Sequence, residues 1–210
     1  AELYALPWEL LALPRSGRHL GALPGVLLRY AWPDTATAPE APAPRGAGGR
    51  ILFCWSAAGG AVPAAEHETA LARACAAGEH PFSHDLDVLP HVSAARLAQV
   101  LTQARAGEPI AVLHILCHGA RLGATYGLAW DSDAPDEGCD VVDGGQLREL
   151  LAGHAGQLRL VVLAACDSGN SGQLGNPLGS IAQTLHRAGI AAVIASRHPL
   201  SVAGSIVLTA

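Results

Sequence analysis

The sequence predicts an α/β fold with a mostly parallel central sheet and helices on both of its faces. Short, continuous apolar runs such as residues 110–117 and 160–166 are typical of strands that are buried on both faces. Segments of helical composition, such as Ala64–Ala77, alternate with these runs, as they do in parallel sheets. Half of the 210 residues are hydrophobic, which is enough to bury one sizeable core, or one core with a small appendage.

Local signals mark several ends of the predicted helices. Gly78 follows the first helix as a C-terminal glycine, and Ser93 and Ser201 are candidate N-caps for later ones. In chain order we predict strand 51–56, helix Ala64–Ala77, strand 85–89, helix 93–106, strand 110–117, helix 146–151, strand 160–165, helix 178–188, strand 191–196 and a last helix from Ser201.

Composition divides the chain into three parts. Residues 1–32 hold two apolar stretches, which we interpret as a hairpin or strand pair packed on the main domain. Residues 33–49 are dominated by Pro, Ala and Gly, which favours an extended linker or surface loop. Residues 50–210 form the predicted main domain. The first residue is Ala1, so we expect a fragment or a processed product.

Charge, hydropathy and cysteine content exclude several classes of protein. The net charge is −5 with only 13 Lys and Arg and no basic run, so no direct contact with nucleic acid is expected. The apolar runs are too short to cross a membrane. The five cysteines are odd in number and include no CxxC pair, which favours reduced thiols in the cytoplasm.

Two reactive side chains follow predicted strands. His118 comes directly after the run 110–117, and Cys166 comes directly after the strand 160–165. Sites in parallel sheets lie at the carboxyl ends of strands. The 48 positions between them (166 − 118) leave room for a crossover between neighbouring strands, so the imidazole and the thiol are expected side by side. An imidazole beside a thiol favours the nucleophilic thiolate.

Several segments resemble the CHAT-domain branch of the caspase–separase clan. The most specific are LHILCHGA and LVVLAACDSG, which contain His118 and Cys166. The segments LPWELLALP, ILFCWSAAGG and AAVIASRHPLS resemble other parts of CHAT domains, so the resemblance covers nearly the whole chain. Caspases also carry their histidine about 50 residues before the cysteine. The resemblance implies a caspase-like three-layer sandwich. It also implies that the chain ends before a further strand and helix of the family.

The resemblance also implies a function. It predicts a cysteine endopeptidase in which His118 is the base and Cys166 the nucleophile, and in which the backbone N–H groups of Gly119 and Cys166 form the oxyanion hole. A protein or peptide would be the substrate, and a regulatory or sensor domain the partner. The family often serves in prokaryotic cell suicide or antiviral defence. No metal or organic cofactor is expected.

The sequence departs from the caspase pattern in the pocket that selects the substrate. Caspases carry Gln two residues before the cysteine, where this chain has Ala164, so cleavage after aspartate is not supported. Asp131, Asp133 and Asp167 are weaker candidates for the same pocket. The sequence leaves the preferred substrate residue open, and a neutral or apolar one is expected before the cleaved bond.

Three alternatives remain beside the peptidase. In the first, the protein is a catalytically inactive caspase-like interaction module, and Cys166 is an ordinary buried thiol. In the second, Cys117, His118 and Cys166 share zinc with His84 or His91, although finger-like spacing is missing. In the third, the domain senses a nucleotide or another ligand. The sequence disfavours this because the glycine pair at 59–60 lacks the GxGxxG spacing and the lysine of a phosphate loop.

Overall fold

The computed structural model describes residues 8–24, 26, 28, 48–105, 108–134, 138–170, 172 and 179–209. The chain divides into two compact units, Ala1–Asp34 and Thr35–Ala210. The described part of the first unit contains two 3-10 helices, Trp8–Leu10 and Leu20–Ala22, and an isolated antiparallel bridge between Ala12 and His19. Apart from Gly48 and Gly49, the predicted linker 33–49 lies outside the described residues. The predicted division into three parts therefore stays a prediction.

A parallel sheet forms the centre of the second unit. The strands of this unit are β1 (Arg50–Trp55), β2 (Val88–Pro90), β3 (Ile110–Leu116), β4 (His118–Leu122), β5 (Thr125–Trp130), β6 (Asp140–Val142), β7 (Leu160–Ala164) and β8 (Ala192–Ala195). Those of the parallel sheet lie in the order β2-β1-β3-β7-β8, and every neighbouring pair is parallel. A smaller antiparallel sheet has the order β4-β5-β6.

Helices cover both faces of the parallel sheet. They are α1 (Ala64–Ala77), α2 (His84–Asp87), α3 (Ala94–Arg105), α4 (Gly144–Ala152), α5 (Ile181–Arg187) and α6 (Val202–Thr209). Successive strand residues point to opposite faces. Leu52 and Cys54 of β1 therefore join a large core that also contains side chains of α3, α4 and α5, whereas Phe53 joins a smaller cluster with Leu71 of α1. This architecture confirms the predicted fold class.

Side-chain caps explain where two of the helices begin. The carboxylate of Asp143 accepts the backbone N–H of Gln146, and the side chain of Gln146 accepts the N–H of Asp143. Ser180 and Gln183 make the same reciprocal pair at α5. Each capping box satisfies two backbone donors that a helix start would otherwise leave without a partner. These caps fix where α4 begins, between His118 and Cys166 along the chain, and where α5 begins, after Cys166.

One prediction of secondary structure is corrected. The segment 85–89 is not one strand, because Asp87 accepts the backbone N–H of Ser83 and closes the helical turn α2 before β2 begins. The sequence also did not predict the small antiparallel sheet, in which β4 and β5 form a hairpin that turns at Gly123, whose φ is 57°, and β6 starts at Asp140. Such short antiparallel strands carry too little apolar periodicity to be read from sequence.

Within the described part of the chain, no helix combines the length and the apolar character that crossing a bilayer requires.

Candidate active site

His118 and Cys166 leave the central sheet at the same edge. Strands β3 and β7 are parallel neighbours in which Leu116 pairs with Ala164. His118 and Cys166 each lie two residues beyond that pair. Because parallel strands present their carboxyl ends at one edge of the sheet, the structure brings these two predicted site residues together. Both are half-buried.

Gly119 lies against the backbone of Cys166. A Cβ atom at Gly119 would overlap the carbonyl oxygen of Cys166 and lie 2.9 Å from its carbonyl carbon. Real Cβ atoms essentially never approach so closely, so only glycine fits without a backbone shift. The two backbones predicted to form an oxyanion hole are therefore in direct contact. Among the described residues the Cys166 N–H has no hydrogen-bond acceptor, so this donor is available to a ligand.

The turn after Cys166 is held by side chains of the residues that follow it, and the sequence predicted this role for none of them. Asp167 adopts a left-handed conformation with φ of 55°, which turns the chain sharply after Cys166. Its carboxylate accepts a hydrogen bond of 2.9 Å from the side-chain amide of Asn170. The buried hydroxyl of Ser168 lies 2.9 Å from the carbonyl oxygen of Ala165 and donates to it. These local bonds present Cys166 at the tip of the strand.

The imidazole of His118 lies beside the glycine turn that follows β1. A Cβ atom at Gly60 would be 3.3 Å from Nε2 of His118, and one at Gly59 would be 3.9 Å from its Cβ and Cδ2. Nε2 is buried and has no hydrogen-bond partner in the described structure. The turn at Gly59 and Gly60 is thus one wall of the candidate site. This role was not predicted, although the sequence shows a glycine pair directly after a strand.

The thiol of Cys166 contacts the backbone of Leu200. The N–H of Leu200 lies 3.3 Å from Sγ and donates to it, and Sγ is also 3.9 Å from the Leu200 carbonyl oxygen. No hydrogen bond joins the imidazole of His118 to this thiol in the described ranges. Leu200 lies after β8, 34 residues from Cys166, and sequence analysis had no signal for this contact.

The candidate pocket residues lie in different surroundings. Ala164 is only 3% exposed and packs with Phe53 in the smaller core cluster. Asp133 accepts the backbone N–H of Ala95 at 3.1 Å and the hydroxyl of Ser93, which caps the start of α3. A pocket role for Ala164 and Asp133 stays a prediction.

The other two candidates for the substrate pocket are Asp131 and Asp167. Asp131 is half-buried, and its Oδ1 lies 3.6 Å from Nδ1 of His91. Asp167 adjoins the nucleophile, as described above. A pocket role for Asp131 and Asp167 stays a prediction.

Cys117 and His84, two side chains of the zinc alternative, lie in other surroundings. Burial raises the pKa of the Cys117 thiol to about 12, so this neighbour of His118 is a neutral core group. His84 makes a hydrogen bond of 2.6 Å with Glu68, and this bond raises the pKa of His84. No group of three or more His, Cys, Asp or Glu side chains within the described ranges is arranged to hold a metal ion. The prediction that no cofactor is needed stays a prediction.

Comparison with known families gives one match. The family model of the CHAT domain matches residues 1–210, the whole chain. A search of the curated proteins finds no match.

Proposed function

We propose, from the premise that this chain belongs to the CHAT-domain family of caspase-like cysteine peptidases, that it is a cysteine endopeptidase acting through His118 and Cys166. One observation carries the proposal: the two residues follow neighbouring parallel strands at the same edge of the sheet, and Gly119 touches the Cys166 backbone. An acyl-transfer site needs a nucleophile, a base and a pair of backbone donors in this proximity.

The reaction divides into acylation and hydrolysis. His118 accepts the proton of the Cys166 thiol, and the sulfur attacks the scissile carbonyl carbon. Negative charge on the carbonyl oxygen is stabilised by the N–H groups of Gly119 and Cys166. His118 protonates the leaving amine, and a water molecule then releases the acyl group from the sulfur.

The arrangement of the dyad supports a regulated enzyme. The thiol accepts a hydrogen bond from the Leu200 N–H, and Nε2 of His118 has no hydrogen-bond partner among the described residues. Catalytic hydrogen bonds often tighten only when substrate binds. We therefore expect the domain alone to be latent or weakly active, and a regulatory or sensor domain or partner protein to promote the approach of thiol and imidazole.

The proposed substrate is an unfolded or loop segment of another protein. The position where caspases carry Gln is the buried Ala164, so no polar group there selects an aspartate side chain. A neutral or apolar residue before the cleaved bond is expected. By family membership, the proposed role is that of a regulated effector in prokaryotic defence or cell death in the cytoplasm. No direct contact with nucleic acid or membrane is proposed.

Covalent labelling tests the proposal. An acyloxymethyl-ketone probe is expected to label Cys166 selectively, and His118→Ala is expected to abolish that labelling because the base is lost. The exposed Cys139 is an internal reference for ordinary thiol reactivity. Peptide-library cleavage by wild type but not by Cys166→Ala would identify the preferred residue. Equal labelling of Cys166 and Cys139, unaffected by His118→Ala, would favour a catalytically inactive interaction module.

A further inference from the structure

The last helix of the described chain lies directly after the residue that contacts the nucleophile. Leu200 donates its N–H to Cys166 Sγ at 3.3 Å, and α6 begins at Val202. Ser201 lies between them, and its hydroxyl accepts the N–H of Gly204 at 3.0 Å while its carbonyl accepts the N–H of Ser205 at 2.8 Å. Leu200 is thus joined to the first turn of α6 through its neighbour Ser201.

A buried polar network fixes α6 to the rest of the domain. Nε2 of His67, on α1, lies 2.9 Å from the hydroxyl of Ser205, and Nδ1 of the same ring lies 2.9 Å from the hydroxyl of Thr209. Nε2 of His114, on β3, lies 3.5 Å from the Thr209 hydroxyl. All four side chains are buried, with exposures between 0% and 9%. The network therefore joins α1, β3 and α6 inside the protein.

One assignment of the protons satisfies every member of this network. His114 donates from Nε2 to Thr209, whose single hydroxyl proton is shared between two acceptors at 2.9 Å, Nδ1 of His67 and the carbonyl of Ser205. His67 donates from Nε2 to Ser205, whose hydroxyl donates to the carbonyl of Val202 at 2.8 Å. Each group then donates once, and both imidazoles are neutral. Burial lowers the pKa of both histidines, which favours the same neutral forms.

We infer that the Leu200 N–H is a positioning donor for the nucleophile, which stabilises the Cys166 thiolate, and that the buried network of His67, His114, Ser205 and Thr209 holds α6 so that this donor stays in place. The inference deepens the proposed function and rests on it, because a thiolate donor matters only if Cys166 is a nucleophile. A hydrogen bond to the charged form of a group favours that form. The thiolate, and not the thiol, attacks a carbonyl.

A matched pair of variants at Leu200 isolates the donor. Leu200→Pro removes the backbone N–H, and Leu200→Ala keeps it while removing the side chain. At neutral pH we expect Leu200→Pro to slow iodoacetamide labelling of Cys166 by about tenfold, since hydrogen bonds to charged groups are among the stronger ones. Leu200→Ala keeps the N–H, so Cys166 is expected to label about tenfold faster in this variant than in Leu200→Pro. In alkaline buffer, where the thiol ionises in both variants, the difference is expected to disappear.

The other cysteines report whether the variants fold. Cys54 and Cys117 are buried and become reactive only if the domain opens. If Leu200→Pro exposes these two thiols, the inference is tested instead with a variant of the buried network. Thr209→Val removes one hydroxyl with little change of shape, and Val207→Thr on the exposed face of the same helix is its control, since Val207 is 77% exposed. We expect slower labelling of Cys166 in Thr209→Val alone.

Two outcomes overturn the inference. One is a folded Leu200→Pro that labels Cys166 as fast as Leu200→Ala, and the other is a Thr209→Val that labels at the wild-type rate. Either would leave the proposed peptidase activity intact if His118→Ala still abolished labelling by the ketone probe. Conversely, loss of the His118 effect with a persisting Leu200→Pro effect would reject the peptidase and retain the contact.

Discussion

Replacing Gly119 with alanine tests how closely the two chain segments of the site must approach. The new Cβ would overlap the carbonyl oxygen of Cys166 and lie 2.9 Å from its carbonyl carbon. Carbon atoms pack at about 3.5–4.0 Å, so the Cys166 peptide must retreat by roughly 1 Å. Gly119 is not among the residues with positive φ, so alanine meets no backbone penalty of its own. The predicted effect is therefore purely a displacement of the nucleophile.

The expected loss is large because the displaced group is the reactive one. A misplacement of about 1 Å costs on the order of a hundredfold in rate when it alters the alignment of reacting groups. We expect Gly119→Ala to lower the rate of ketone labelling of Cys166, and any peptide cleavage, by about that factor. The buried thiols Cys54 and Cys117 should stay protected, which would show that the fold persists.

Gly156→Ala is the matched control for this prediction. A Cβ at Gly156 meets no atom within 4 Å, so the same substitution there should leave the labelling rate of Cys166 unchanged. Labelling rates can be followed by mass spectrometry of the modified peptide. A Gly119→Ala protein that labels as fast as Gly156→Ala would refute the reasoning, because it would show that the two backbones do not constrain one another.

Two further predictions concern stability. Burial, and secondarily the neighbouring His67, lower the pKa of His114 from 6.5 to about 3. The unfolded chain therefore binds a proton below pH 6.5 that the folded chain excludes, and His114 should lower the free energy of unfolding by up to about 1.4 kcal/mol per pH unit as the pH falls from 6.5 to about 3. Urea unfolding across this window should show a steeper slope in wild type than in His114→Gln, where the lowered pKa of His67 still contributes; identical slopes would contradict the assignment. Asp143→Ala removes the capping box of α4 and should cost about 1 kcal/mol in the same assay, whereas Asp143→Asn, which keeps a side-chain acceptor, should cost less.

Much of the central sheet was predictable because its signals are local or nearly so. The apolar runs that became β3 and β7 are continuous, and their lengths match buried strands. Residues Ala64–Ala77 form the predicted helix with its predicted bounds. The small antiparallel sheet was missed, because β6 has only three residues and its pairing with β5 depends on distant partners. Short strands of this kind are decided by tertiary contacts.

By itself, the sequence determined the fold class, the family resemblance and the two residues on which the proposed chemistry depends. Residue type and strand position were enough for that, because parallel strands present their carboxyl ends at one edge. Only the tertiary structure decided what surrounds them: Gly60 beside the His118 ring, Gly119 against the Cys166 backbone, and Leu200 on the thiol. These neighbours are far from His118 and Cys166 in sequence, and they contribute backbone groups. Because every residue carries such groups, no pattern of side chains in the sequence predicts these contacts.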